Sequence, residues 1–179
     1  MSKFSLGADY DNAHYSRLEL PDGVNQKIVN WSNSGTGILL FTGNPGLGKT
    51  YLCAAHINYL EEKRENFRFY SEQQFFTAMK EIIAKDWPVS FEINRICEVK
   101  HFIFDDLGSS SQMTDWKKEC LFQMVDLRNS SRLPTIITSN LNLKDMEFTY
   151  GERFVSRLRD RRNTLIDLNW IDKRTGERA

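Results

Sequence analysis

The 179-residue chain predicts an α/β fold, a parallel sheet covered by helices on both faces. Three observations carry this. Five short apolar, β-rich runs recur at Ile38–Thr42, Phe67–Tyr70, His101–Phe104, Thr135–Thr138 and Thr164–Leu168. Stretches with helix-spaced apolar residues separate them. The first run ends in a glycine-rich loop that opens onto one such stretch. Runs this short make strands rather than helices, and strands alternating with helices make parallel crossovers that bury both sheet faces. Those crossovers are right-handed, and ligands in such sheets sit at the carboxyl ends of the strands.

Each element has its own pattern. Val24, Ile28 and Trp31 share one face of a helix before the first run. Leu52, His56, Tyr59 and Leu60 follow that run, and Phe75, Met79, Ile82 and Ile83 follow the second. Trp116, Cys120, Met124 and Leu127 follow the third, and Phe154, Val155 and Leu158 precede the fifth. These are the i, i+3 and i+4 spacings of an amphipathic helix. The aromatic faces read as core.

Composition narrows the function classes. With 40% hydrophobic and 27% charged residues, the chain reads as one globular domain that needs neither disulfides nor metal to fold. Three cysteines, Cys53, Cys97 and Cys120, form no CxxC pair, which excludes a zinc ribbon or a disulfide framework. No apolar run reaches membrane-spanning length and no signal-peptide pattern opens the chain, so a soluble, cytoplasmic protein is expected. Twenty-four basic residues balance 24 acidic ones, which excludes a histone-like blanket of positive charge. The balance is uneven: residues 151–179 carry 8 basic and 5 acidic residues, with Arg153, Arg157, Arg159, Arg161 and Arg162 within ten positions. That cluster is either a solvated helix face or an edge that faces an anion or a partner.

The chemistry begins where the first run ends. Gly43-Asn44-Pro45-Gly46-Leu47-Gly48-Lys49-Thr50 is G-x-x-x-x-G-K-T between a strand pattern and a helix pattern, the context that makes this motif a phosphate loop. Its glycines let backbone amides turn in around a phosphate at a helix N-terminus. Lys49 is expected to reach the β- and γ-phosphates and Thr50 to give its hydroxyl to Mg²⁺. The third run ends in Asp105-Asp106. An acid closing an apolar strand matches the Walker B element, where Asp105 would hold Mg²⁺ and Asp106 would orient the attacking water. The fourth run ends in Ser139-Asn140, and the amide of Asn140 either contacts that water or the γ-phosphate, or caps the next turn.

Together these residues resemble a family. The phosphate loop, the DDLG strand end, the helix DWKKECLFQMVDLRN and PTIITSNL are similar to the AAA+ domains of the DnaC/DnaI helicase loaders and the IstB transposition helpers. Ser156-Arg157-Leu158 stands where that family carries its box VII arginine, and Asn169-Trp170 with Arg174 resembles its NW-x-x-x-R ending.

The resemblance implies a three-layer P-loop NTPase with five parallel strands in the order 5-1-4-3-2 and no C-terminal helical lid. It implies an N-terminal extension with a leading helix over 1–35 and an AAA+ core over 36–179. It implies ATP and Mg²⁺, with Gly43, Asn44, Pro45, Gly46, Leu47, Gly48, Lys49, Thr50 and Tyr51 around the nucleotide and Arg157 completing a neighbour's site across a subunit boundary. The implied partners are a replicative helicase or a transposase, and single-stranded DNA along Lys80, Lys85, Arg95, Lys100, Lys117 and Lys118 with Phe75, Phe76 and Trp87 among them. The helicase-gripping domain that loaders usually carry has no counterpart in this stretch, which leaves a nucleotide-dependent adaptor or inhibitor open. A nucleoside monophosphate kinase, with the arginine cluster clamping phosphates, is the reading from another enzyme class.

Overall fold

The computed structural model describes residues 6–18, 20–110 and 112–169; Trp170 and Arg174 lie outside them. Pro21 precedes helix α1 (Asp22–Ser34), and Gly35, in the left-handed region at φ 61°, ends it. The buried Trp31 donates its indole N–H to the Gly37 carbonyl at 3.0 Å, which ties α1 to the start of β1 (Ile38–Thr42). The phosphate loop leads into α2 (Lys49–Glu62). After β2 (Phe67–Ser71), Ser71 and Gln74 form a reciprocal capping box at the start of α3 (Glu72–Ile83). Then come α4 (Val89–Cys97), β3 (His101–Leu107), α5 (Asp115–Ser130) and β4 (Thr135–Ser139). Two short helices, α6 (Leu143–Tyr150) and α7 (Glu152–Leu158), precede β5 (Thr164–Asp167).

All strand pairs are parallel, in the order β2-β3-β4-β1-β5, which is 5-1-4-3-2 read from the other edge. Successive residues point to opposite faces. Leu39, Phe41, Ile103 and Ile136 meet α1 and α2 on one side, while Ile38, Leu40, Phe102, Phe104 and Ile137 meet α3, α4, α5 and α7 on the other. Phe75 and Phe76 belong to this second core, so neither is free to stack on a DNA base.

Two helices went unpredicted. In α4, Val89, Ile93, Ile96 and Cys97 stand at helix spacing, and the last three are buried, but only nine residues after Pro88 carry the pattern. In α6 only Met146 and Tyr150 are buried, and Asn142 accepts the amides of Lys144 and Asp145 as a helix cap. The third strand also runs past its predicted end, with a register shift between Phe104 and Leu107.

One side chain stitches the end of the sheet opposite the phosphate loop. Arg128 of α5 is fully buried and donates from Nε to Thr135 Oγ1 at 2.7 Å, from Nη1 to the Cys97 and Val99 carbonyls at 2.7 and 2.6 Å, and from Nη2 to the Lys100 and Pro134 carbonyls at 3.0 and 2.6 Å.

His56 of α2 is also buried, with Nδ1 2.9 Å from the Tyr15 hydroxyl. Burial, then the neighbouring His101, pushes its pKa down to about 3 from an ordinary 6.5. Below pH 6.5 the unfolded chain therefore takes up a proton that the folded chain refuses, and stability falls as pH drops toward 3. Urea unfolding between pH 6.5 and 4 is expected to show a slope steeper by up to about 1.4 kcal/mol per pH unit than in a His56→Phe chain; equal slopes would remove His56 as the cause.

Candidate functional site

The site is assembled at the carboxyl ends of β1, β3 and β4. Gly43 stands at φ 144°, where a Cβ would come within 2.9 Å of Leu47 Cδ1 and 3.2 Å of Leu168 Cβ. Only glycine satisfies both constraints. Leu47 is buried and anchors the loop in the core, and the Asn44 amide donates to Asn169 Oδ1 at 2.8 Å, fastening it to the segment after β5. Gly48, left-handed at φ 83°, caps α2, so the first-turn amides of that helix open onto the loop. Lys49 is buried and donates to the Gly43 and Asn44 carbonyls at 2.6 and 2.8 Å. Burial lowers its pKa, against the opposing pull of Asp106 and Asp105.

The two acids have separate environments. Asp105 is buried: its Oδ2 accepts from Thr50 Oγ1 at 3.0 Å, and its Oδ1 accepts from the Thr138 hydroxyl, with Cys53 Sγ at 3.7 Å. Asp106 is half-buried and left-handed at φ 60°, on the bulge where β3 slips register. Its amide donates to Thr138 Oγ1 at 3.0 Å. Thr138 therefore holds both acids at once, donating to one side chain and accepting from the other backbone. Burial, then the Asp105 charge and more weakly that of Glu72, raises the Asp106 carboxyl pKa, while Lys49 opposes the rise. A carboxyl so placed is a more basic carboxylate once ionised, as a water-orienting group requires.

A cavity of about 370 Å³ joins these parts. Pro45, Gly46, Gly48, Lys49 and Thr50 line it from the loop, Asp106 and the exposed Asn140 from the strand ends, and Tyr10 and Tyr51 from the other side. Among the predicted residues, Leu47 acts as an anchor beneath the loop, and Gly43 and Asn44 as acceptors for Lys49. Sequence reasoning missed Thr138, an ordinary β residue within PTIITSN, and Tyr10, which belongs to no periodic pattern.

Arg157 is half-exposed on α7 and does not line this cavity. Its ion-pair partner is not the nearby Asp160 or Glu152: Nε meets Asp126 Oδ1 of α5 at 2.5 Å, and the guanidinium lies 5.9 Å from the Phe122 ring centre. Asp160 pairs with Arg162 instead. Among the suggested DNA contacts, Lys80 and Lys85 are exposed, Arg95 pairs with Glu92 and Lys100 with Glu65, and Lys117 lies over the Phe76 ring. Trp87 is 54% exposed and meets the exposed Phe91 edge-on at 5.7 Å. Among the described residues no group of three or more His, Cys, Asp or Glu side chains forms a metal cluster, and no helix is long and apolar enough to cross a membrane.

Comparison with known proteins agrees with the family resemblance and the fold. The family model described as IstB-like ATP binding protein matches residues 5–162. The replicative helicase loader DnaC of Escherichia coli (strain K12) is 28% identical over 137 residues, covering 76% of this chain and 56% of that protein. The replicative helicase loader DnaI of Bacillus subtilis (strain 168) is 30% identical over 156 residues, covering 83% of this chain and 49% of that protein. The chain thus spans about half the length of these relatives. In fold, a crystal structure of the DnaC helicase loader superposes with a TM-score of 0.73 at 23% identity, covering 90% of this chain and 99% of that one.

Proposed function

Since the chain belongs to the IstB-like ATP-binding protein family, we propose that it hydrolyses ATP with Mg²⁺ and uses the cycle to recruit or load a replicative helicase on single-stranded DNA. The observation that carries this is the Thr50–Asp105–Thr138–Asp106 arrangement beside Lys49. It places a buried acid against the P-loop hydroxyl and a second, more basic acid on the same cavity. Thr50 and Asp105 would hold Mg²⁺, which supplies charge neutralisation at the phosphates. Lys49 and the α2 amides bind the phosphates, Asp106 orients water, and Asn140 contacts that water or the γ-phosphate. Arg157, outside its own cavity and half-exposed, is free to serve a neighbour's site once released from Asp126, so turnover requires self-association.

The names of the matched relatives support the helicase as partner, and the family's name supports the transposition-helper alternative. The exposed Trp87–Phe91 pair with Lys80 and Lys85 offers base stacking and phosphate attraction to single-stranded DNA.

Phosphate release from ATP tests the reading, measured with and without a single-stranded oligonucleotide and with a replicative helicase or a transposase added. Release is expected, raised by the oligonucleotide and by the helicase, and lowered about 10²–10⁴-fold in Asp106→Asn with ATP binding retained. Arg157→Ala is expected to lower it by about 10³-fold. Stimulation by a transposase alone would install the transposition helper. ATP binding without release under any condition would install the adaptor, and conversion of ATP plus AMP to ADP the kinase.

A further inference from the structure

We propose that Glu72 is a positioning residue for hydrolysis: its buried carboxylate pins the end of the β3 bulge and so keeps Asp106 turned into the nucleotide cavity. Glu72 is the first residue of α3, one position after β2, and it has no exposed surface. Its Oε2 accepts the Gly108 amide at 2.5 Å and its Oε1 the Ser110 amide at 3.1 Å. Among the described residues it takes part in no salt bridge. A fully buried carboxylate held by two backbone amides is a costly way to finish a loop, because a neutral acceptor avoids the desolvation of a charge. The charge makes both bonds strong, and both pull on the segment that follows Asp106.

That segment needs holding. Asp106 and Gly108 are both left-handed, at φ 60° and 93°, so local preference does not favour the path for Asp106. Leu141 crowds the turn, since a Cβ at Gly108 would stand 2.7 Å from Leu141 Cδ1. From the β4 side, Thr138 accepts the Asp106 amide and Ser139 Oγ donates to the Leu107 carbonyl at 2.6 Å. Glu72 supplies the attachment from the opposite, β2 side. With it removed, residues 108–110 lose both of these bonds, the bulge is held only from β4, and Asp106 is free to swing away from the cavity while the phosphate loop stays intact.

The inference rests on the hydrolysis reading above, and the experiment separates the two. In the full-length chain, Glu72→Ala, Glu72→Gln and a control, Met79→Ala, are compared. Met79 is buried on the same helix, about two turns beyond Glu72, and its side chain has no polar atom to hold the Gly108 or Ser110 amide. For phosphate release, Glu72→Ala is expected to lower kcat by about 10²-fold while the KM for ATP stays within about two-fold. Glu72→Gln should recover part of this, because its amide oxygen still accepts one N–H. The amides of Gly108 and Ser110 should exchange with deuterium faster in both, and Met79→Ala should lower the unfolding temperature without changing kcat or those two amides. Unchanged kcat in Glu72→Ala, or an equal fall in Met79→Ala, would overturn the positioning role. A wild-type chain that releases no phosphate would defeat the hydrolysis reading instead. Exchange at Gly108 and Ser110 then still decides whether Glu72 holds the bulge, and unchanged exchange would end the proposal.

Discussion

Replacing Lys49 with alanine is expected to weaken nucleotide binding by about 10²-fold or more while leaving the fold standing. Each charge-assisted hydrogen bond to an ionised group contributes about 1.5–3 kcal/mol, and in the proposed function Lys49 is the P-loop cation for two adjacent phosphates. Its Nζ already lies in the loop, 2.6 and 2.8 Å from the Gly43 and Asn44 carbonyls. Truncation therefore removes the ligand's cation and also the strut that shapes the loop around it. The rest of the loop keeps Leu47 in the core and the Asn44–Asn169 bond, so secondary structure should survive. Titration with a fluorescent ATP analogue reads the loss directly, and the wild type alone should gain thermal stability when ATP is added, by mass action. An alanine chain that binds ATP as the wild type does would sink every ATP-dependent function for this protein. Arginine should not rescue it, because a guanidinium is broader than an ammonium and this position is 5% exposed.

The largest effect on stability is expected at Arg128. Methionine fills similar volume but takes the guanidinium donor from the carbonyls of Cys97, Val99 and Lys100 and from the hydroxyl of Thr135, while the Pro134 carbonyl keeps the Phe102 amide at 3.2 Å. Buried acceptors that lose a partner cost about 1–3 kcal/mol each; even with only the most buried of them unsatisfied, the loss should reach about 4 kcal/mol, a large share of a domain's total. Burial holds the Arg128 pKa down to about 10, still far above neutrality, so the group is charged, and among the described residues no carboxylate forms a salt bridge with it. Four backbone carbonyls and the Thr135 hydroxyl offset its desolvation, with the Phe102 ring 5.7 Å from the guanidinium. Urea unfolding of Arg128→Met should show a much lower midpoint, with Arg157→Ala as the contrast. Arg157 is 43% exposed and pairs with a half-exposed Asp126, so its loss should cost no more than about 1 kcal/mol. Equal midpoints for Arg128→Met and wild type would show that water takes over those carbonyls.

The two arginines also mark where sequence reasoning stops. Arg128 lies in DWKKECLFQMVDLRN, a helix whose apolar spacing was plain, yet nothing in that spacing distinguishes a buried guanidinium from a solvated one. It is buried because α5 ends over the entries to β3 and β4, which the chain order alone does not reveal. Arg157 was noticed through its family resemblance, but its partner Asp126 lies 31 positions away, where no local pattern points to it. The acid pair shows the same division. Asp105 and Asp106 were legible as a strand end. Thr138, which bridges them from 32 and 33 positions away, and Glu72, 36 positions from the amide it holds, were not.

By itself, the sequence determined the five strands, their alternation with helices, the phosphate loop and the two acids, because each is a contiguous pattern whose geometry follows from backbone periodicity and from glycine's freedom at Gly43 and Gly48. Only the tertiary structure decided which polar side chains are buried, what each one holds, and how Asp106 is turned. Those outcomes depend on pairings between β2, β3 and β4, and a hydrogen bond across strands depends on sheet order and register. No stretch of neighbouring residues encodes that distance.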